Sequence, residues 1–137
     1  MTTFVEAKNR ILEVFLADFT SSTNITFDNE QYSPPTNESW ARVVIRHSGR
    51  TQESMGAAGA RKFESSGLVF VQCFCPLDSG TSLADTMAAA AQDVFEGKVL
   101  GATELLRFTS AAITEVGPTD DWYQINVEAA FTYTETK

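Results

Sequence analysis

The strongest hydrophobic pattern in the chain runs from Gly67 to Gly97 and reads as a buried strand feeding an amphipathic helix. Leu68, Val69, Phe70, Val71, Cys73 and Phe74 are apolar on both alternating faces, with Gln72 the single polar position, which predicts a central strand covered on both sides. Pro76 has no donor for a ladder, and Asp78, Ser79 and Gly80 bring turn chemistry, so the strand ends there. Thr81 or Ser82 then supplies an N-cap, and Asp85 a carboxylate near the positive end of the helix dipole. Leu83, Met87, Ala90, Ala91, Val94 and Phe95 recur at three- and four-residue steps and predict the buried stripe of the helix. Gly97 suits the left-handed position that closes a helix, and Lys98 adds a cation near its negative end.

At the N-terminal end, Thr3 and Glu6 form a capping-box pattern around Phe4, Ala7, Ile11, Phe15 and Phe19, which follow helical spacing, with Leu12 and Val14 widening the stripe. This first helix is predicted to end near Asp18. The polar run Thr20 to Asn24 breaks the period, Ile25-Thr26-Phe27 is a short extended piece, and Glu30 to Ser39 is loop stiffened by Pro34-Pro35. Ala41 to His47 alternates, with Val43 and Ile45 on a core face and Arg42 and Arg46 presented on the other. Beyond it, the polar arms Arg50 to Ser54 and Arg61 to Ser66 flank the tip MGAAGA and predict a long hairpin, about residues 46–66, that extends past the core. Unpaired edges on such an arm suggest a partner.

Leu105, Leu106 and Phe108 make a short apolar segment, and Ala111 to Val116 reads as a strand ended by Gly117-Pro118-Thr119-Asp120. The cleanest alternation lies in Trp122 to Thr134, with Tyr123, Ile125, Val127, Ala129, Phe131 and Tyr133 on one face. Together these elements predict one α+β domain spanning residues 1–137: a mixed or antiparallel sheet of five to six strands, two helices packed on one face and a protruding β-hairpin.

Charge narrows the function classes. Ten Lys and Arg stand against eighteen Asp and Glu, a net charge of -8. A chain that holds nucleic acid must neutralise phosphates with cations, so this balance argues against a dedicated nucleic-acid binder. The cations are unevenly spread, for Arg42, Arg46, Arg50, Arg61 and Lys62 fall within one short region while both ends of the chain are acidic. That basic patch reads either as a solvated hairpin surface or as a docking surface for an acidic partner or a neighbouring subunit. A head-to-tail contact of the second kind closes into a ring where the rotation allows it. No secretory signal is read after Met1, and no apolar run approaches the length of a membrane span, so folding in a cytoplasm and no membrane partner are expected.

Few residues offer chemistry. His47 is the single histidine, and pairing it with Cys73 or Cys75 would make a thiol-imidazole site or part of a zinc site, but the spacing offers no further ligands. A structural or surface role is expected for His47, and plain packing for the two cysteines. Gly56-Ala57-Ala58-Gly59 does not join an apolar strand to a helix N-terminus, as a phosphate cradle does, and reads as a hairpin tip. Asp120-Asp121 beside Trp122 is expected to be a solvated turn. No catalytic, cofactor-binding or metal-binding residue is nominated, no cofactor is expected, and the chain is not read as an enzyme.

The segments ITFDNEQYSPP (25–35), WARVVIRH (40–47), RKFESSGLVFVQCFCPLDSGTS (61–82), AAAQDVFEGK (89–98) and ITEVGPTDDWYQINVEAAFTYTE (113–135) resemble, in that order, the phage tail terminator-like proteins of siphophages. Their order and spacing carry the likeness, which covers most of the chain after the first helix. The resemblance implies a fold like that of lambda-type tail terminators and a structural virion protein, located at the head-proximal end of the tail and made in the host bacterial cytoplasm. It implies a homo-oligomeric ring, expected to be a hexamer, that caps the tail tube, stops its polymerisation and presents a surface to neck or head-completion proteins. Its partners would be further copies of itself, the tail tube protein and the neck proteins, with genomic DNA passing through without specific binding. The MGAAGA tip departs from the family pattern and leaves open whether the arm meets the tube or another subunit. The alternative is another head-tail connector ring, such as a head-completion or neck protein. More distant is a small ligand-binding domain or enzyme using His47 and Cys73.

Overall fold

A computed structural model describes residues 3–20, 24–34, 37–78, 80–101 and 106–137. Pro35, Ser79, Leu105 and most of the polar run between the first helix and the first strand lie outside the described residues. The elements are α1 (Phe4–Asp18), β1 (Ile25–Phe27), β2 (Trp40–Gln52), β3 (Lys62–Pro76), α2 (Ser82–Phe95), β4 (Val99–Leu100), β5 (Leu106–Thr119) and β6 (Trp122–Thr136). The strands form one six-stranded sheet in the order β1-β2-β3-β6-β5-β4. β1 runs parallel to β2 and every other pairing is antiparallel, so the sheet is mixed and the fold is α+β.

Both helices lie on one face. In α1 the Thr3 hydroxyl caps the first turn by accepting from the Glu6 amide at 3.2 Å, and Ala7, Ile11 and Phe15 are buried as their spacing predicts. The Phe15 ring stacks on Phe95 of α2 at 5.9 Å and on Phe19 at 4.6 Å, which joins the two helices above the sheet. Lys98 supports the same junction. Its ammonium donates to the Asp18 carboxylate at 2.7 Å and so ties the end of α1 to the end of α2. Gly97 has φ +71°, the left-handed conformation its position after α2 requires. Beneath the helices the odd-numbered side chains of β3 and β6, from Val69 to Cys75 and from Ile125 to Tyr133, form the core with Val43 and Ile45 of β2.

The structure departs from the sequence reading in four places. The buried stripe of α2 is Ala84, Met87, Ala88, Ala91, Val94 and Phe95, whereas Leu83 is 41% exposed. Three alanines on that face bring the helix axis close to the sheet, which turns Leu83 in the first turn outward. β3 is central, but it is covered on one side only: Val69, Val71 and Cys73 are buried under the helices, while Leu68, Phe70 and Gln72 on the other face are half-buried. The strand β5 runs through Gly117 and Pro118 to Thr119, and the chain reverses at Asp120-Asp121, two exposed residues between the paired Thr119 and Trp122. An outermost position tolerates Pro118, since its missing donor is not needed by β6. Finally, the hairpin of β2 and β3 is not a free two-stranded arm. β6 follows β3 along its whole length, from Pro76↔Trp122 to Lys62↔Thr136, so only the outer edge of β2 is left open there.

Candidate interaction surface

The sheet face opposite the helices carries an apolar centre with a charged border. Val44 of β2 stands opposite Phe70, and Arg46 opposite Leu68, while Glu128 of β6 flanks Phe70 on the other side. Val44, Leu68 and Phe70 are each half-buried by their neighbours, and among the described residues no helix covers them. At the β2–β3 end of this face Trp40, only 5% exposed, stacks on Phe74 with ring centroids 4.1 Å apart. Trp122 meets it edge-on at 5.9 Å, Tyr32 of the preceding loop lies at 5.2 Å, and the Arg42 guanidinium sits 5.4 Å above the indole. Such aromatic packing makes this corner rigid.

The five basic residues nominated from the sequence do not gather into one patch. Arg42 and Arg46 lie on the helix-free face, where Arg46 forms an ion pair with Asp28 just beyond β1. That guanidinium holds the Asp28 carboxyl below the usual carboxylate range. Arg50 lies beyond the bulge between His47 and Gly49, on the helix side of the sheet. It donates to the Ser65 hydroxyl at 2.9 Å and to Glu135 at 2.7 Å, and it lies 5.1 Å above the Phe63 ring. Arg61 and Lys62 border the tip: the Arg61 side chain donates to the Lys137 carbonyl at 3.3 Å, and the Lys62 amide to the Ser54 hydroxyl at 3.0 Å. The tip itself is exposed, with Met55 97% accessible and a turn closed by the Ala60 amide on the Ala57 carbonyl at 3.0 Å. It leads into β3 and not into a helix, so the geometry of a phosphate cradle is not formed there.

Sequence reasoning missed a polar chain on the helix side. His47 Nε2 and the Tyr133 hydroxyl are 2.7 Å apart, and Phe4 of α1 covers the imidazole at 4.4 Å. The Phe131 and Tyr133 rings meet it edge-on at 5.5 and 5.7 Å. Phe4, His47, Arg50, Ser65 and Tyr133 border a cavity of about 360 Å³. Burial pushes the His47 pKa down, and the nearby cations Lys8 and Arg50 add to the effect. Burial pushes the Tyr133 phenol up. Glu135, 9% exposed, closes the chain through Arg50. No sequence signal marks these partners, because the register of β2, β3 and β6 brings them together.

The cysteines take no part. His47 stands opposite Gly67 and Cys73 opposite Ala41, so the imidazole and the thiol are separated by six positions along β2, about 20 Å at ~3.3 Å per residue. Burial pushes Cys73 up to about 12 and Cys75 to about 11, and the Cys75 thiol contacts the Met87 sulfur at 3.6 Å. Both are protonated packing groups at neutral pH. Among the described residues no group of three His, Cys, Asp or Glu side chains is arranged to hold a metal ion. Among them, too, no helix is long and apolar enough to cross a membrane.

No family model matches the sequence, and no curated protein matches it. Among solved structures, one chain whose name carries no functional description superimposes with a TM-score of 0.67 at 17% identity, over 92% of this chain and 94% of its own. A likeness of that depth shows a shared fold.

Proposed function

We propose that this chain is a structural virion protein of a siphophage, a tail terminator that assembles into a homo-oligomeric ring, expected to be a hexamer. In this role the ring caps the head-proximal end of the tail tube, stops tube polymerisation and joins the tail to neck or head-completion proteins. Genomic DNA passes through it without specific binding, in keeping with the net charge of -8. The observation that carries an assembly role is the sheet face on which Val44, Leu68 and Phe70 lie uncovered among charged neighbours. A half-apolar face with a polar border is the surface expected of an interface. The order of the motif segments along the chain supports the tail terminator over the alternative of a head-completion or neck ring protein.

Electron microscopy of the purified protein, alone and mixed with tail tubes or DNA-filled heads, tests the proposal. Rings seated on tube ends are expected. Rings that bind heads and ignore tubes would move the protein to the neck, and particles that stay single with both partners would remove the assembly role.

A further inference from the structure

The six-stranded sheet has two outer strands that their short neighbours cover only in part. β1 pairs with β2 at Ala41, Arg42 and Val43 alone. β4 pairs with β5 at Leu106 and Arg107 alone, and the Gln92 and Glu96 side chains take the Ala111 backbone groups at 2.7 and 3.2 Å. Among the described residues this leaves β2 from Val44 to Gln52 and β5 from Ala112 to Thr119 without a strand on the outer side. The two stretches are similar in length, each about 25 to 30 Å at ~3.3 Å per residue. They lie on opposite edges of the same sheet, so one can face the other in a neighbouring copy.

The two stretches differ in charge. The β2 stretch contains no carboxylate and places Arg50, paired with Glu135 of its own chain, on the helix side, while Arg46 lies on the opposite face paired with Asp28; the β5 stretch contains Glu115 and no cation, and leads into Asp120-Asp121. Their faces match. Glu115 stands opposite the core residue Ile125, and His47 opposite Gly67, against which the core ring of Phe131 packs; both therefore project from the helix side. The β5 edge offers apolar surface, with Ile113 and Val116 40% and 48% exposed, and beside β2 a cavity of about 360 Å³ joins Leu12 and the buried Val43 and Ile45 to Lys8 and Asp28.

We propose that the β5 edge of one copy pairs with the β2 edge of the next, so that the sheet continues from subunit to subunit. The pairing deepens the ring proposed above and rests on it. The contact is head-to-tail, because it joins unlike edges, and it propagates around a closed ring where the rotation per subunit permits. Both edges also carry features that limit unspecific pairing. The Arg46 guanidinium covers the Ile45 carbonyl at 3.1 Å, β2 bulges between His47 and Gly49, and β5 bulges between Glu115 and Gly117 before Pro118 withholds a donor. These features confine the contact to a short stretch of fixed register, centred on Ala112 to Glu115, and so favour a closed assembly over an open polymer.

Two variants test the pairing, each read by light scattering at micromolar concentration, with circular dichroism and thermal melting to verify folding. Ile113→Pro removes an outward-facing donor, since Ala111 two residues earlier also turns its backbone away from β6. Glu115→Lys reverses the charge at an exposed position and keeps every backbone group, so it serves if the proline variant fails to fold. Folded monomers from either variant, against rings from the unaltered chain, are the expected result. Rings that persist in folded Glu115→Lys protein with unchanged salt dependence would overturn the edge pairing while leaving the ring itself intact. A monomeric unaltered chain, with or without tail tubes, would overturn both.

Discussion

Gly67 and Phe131 are cross-strand partners packed so closely that the Phe131 ring occupies the space a β-carbon on Gly67 would need. Such a β-carbon would stand 2.6 Å from the ring and 2.5 Å from the Arg46 carbonyl oxygen. Ring and backbone both lie inside the sheet, so neither yields easily. Gly67→Ala is therefore expected to lower stability by about 1 to 3 kcal/mol, the usual range for overpacking a filled core. Chemical denaturation of the variant checks this, and an unchanged midpoint would mean that the β2–β3 register is looser than described.

Arg50 and Glu135 form the least exposed ion pair on the helix side. Arg50→Met leaves the Glu135 carboxylate half of a broken pair at a buried position and is expected to cost about 1.5 to 3 kcal/mol. Replacing both, as Arg50→Met with Glu135→Leu, is expected to recover part of that loss, because no unpaired charge remains. A double-mutant cycle measured by denaturation gives the coupling, and a value near zero would return Arg50 to the free basic surface.

His47 gives the fold a pH dependence of known sign. Burial lowers its folded pKa below the ordinary histidine value of about 6.5, so the unfolded chain binds the proton more readily than the native one. The stability contributed by neutral His47 is full above that ordinary value and is lost progressively as pH falls from there towards the folded pKa. The groups facing it are Lys8, Arg50 and the Tyr133 hydroxyl. His47→Gln is expected to flatten the stability curve between about pH 5 and 7. Melting temperatures measured across that range decide the matter, and an equal slope in both proteins would rule out His47 as the source.

Leu83 and Met87 separate periodicity from packing. Both fall on the stripe that spacing alone selects, yet Leu83 is 41% exposed and Met87 is fully buried against Cys75. Leu83→Ala should change stability by no more than about 0.5 kcal/mol, whereas Met87→Ala should cost about 2 to 5 kcal/mol. Equal losses from the two would place Leu83 in the core after all.

The local code was strong where one face of an element is buried and the other is wet. Thr3, Ala7, Ile11 and Phe15 define α1, and the alternation from Tyr123 to Tyr133 defines β6, because burial imposes a period that the chain must carry residue by residue. Sequence alone therefore determined two helices, long strands and a hairpin of β2 and β3 in one α+β domain. It overreached at β3, where Leu68 and Phe70 read as buried: an apolar side chain records a preference for leaving water without recording what will cover it. Which residues meet was decided by register between strands far apart in sequence. The docking of β6 along β3 closed one edge of the hairpin, drew Arg50 to Glu135 and His47 to Tyr133, and so divided a run of cations into groups on different faces. Those contacts depend on the relative placement of whole strands, and no local pattern encodes that.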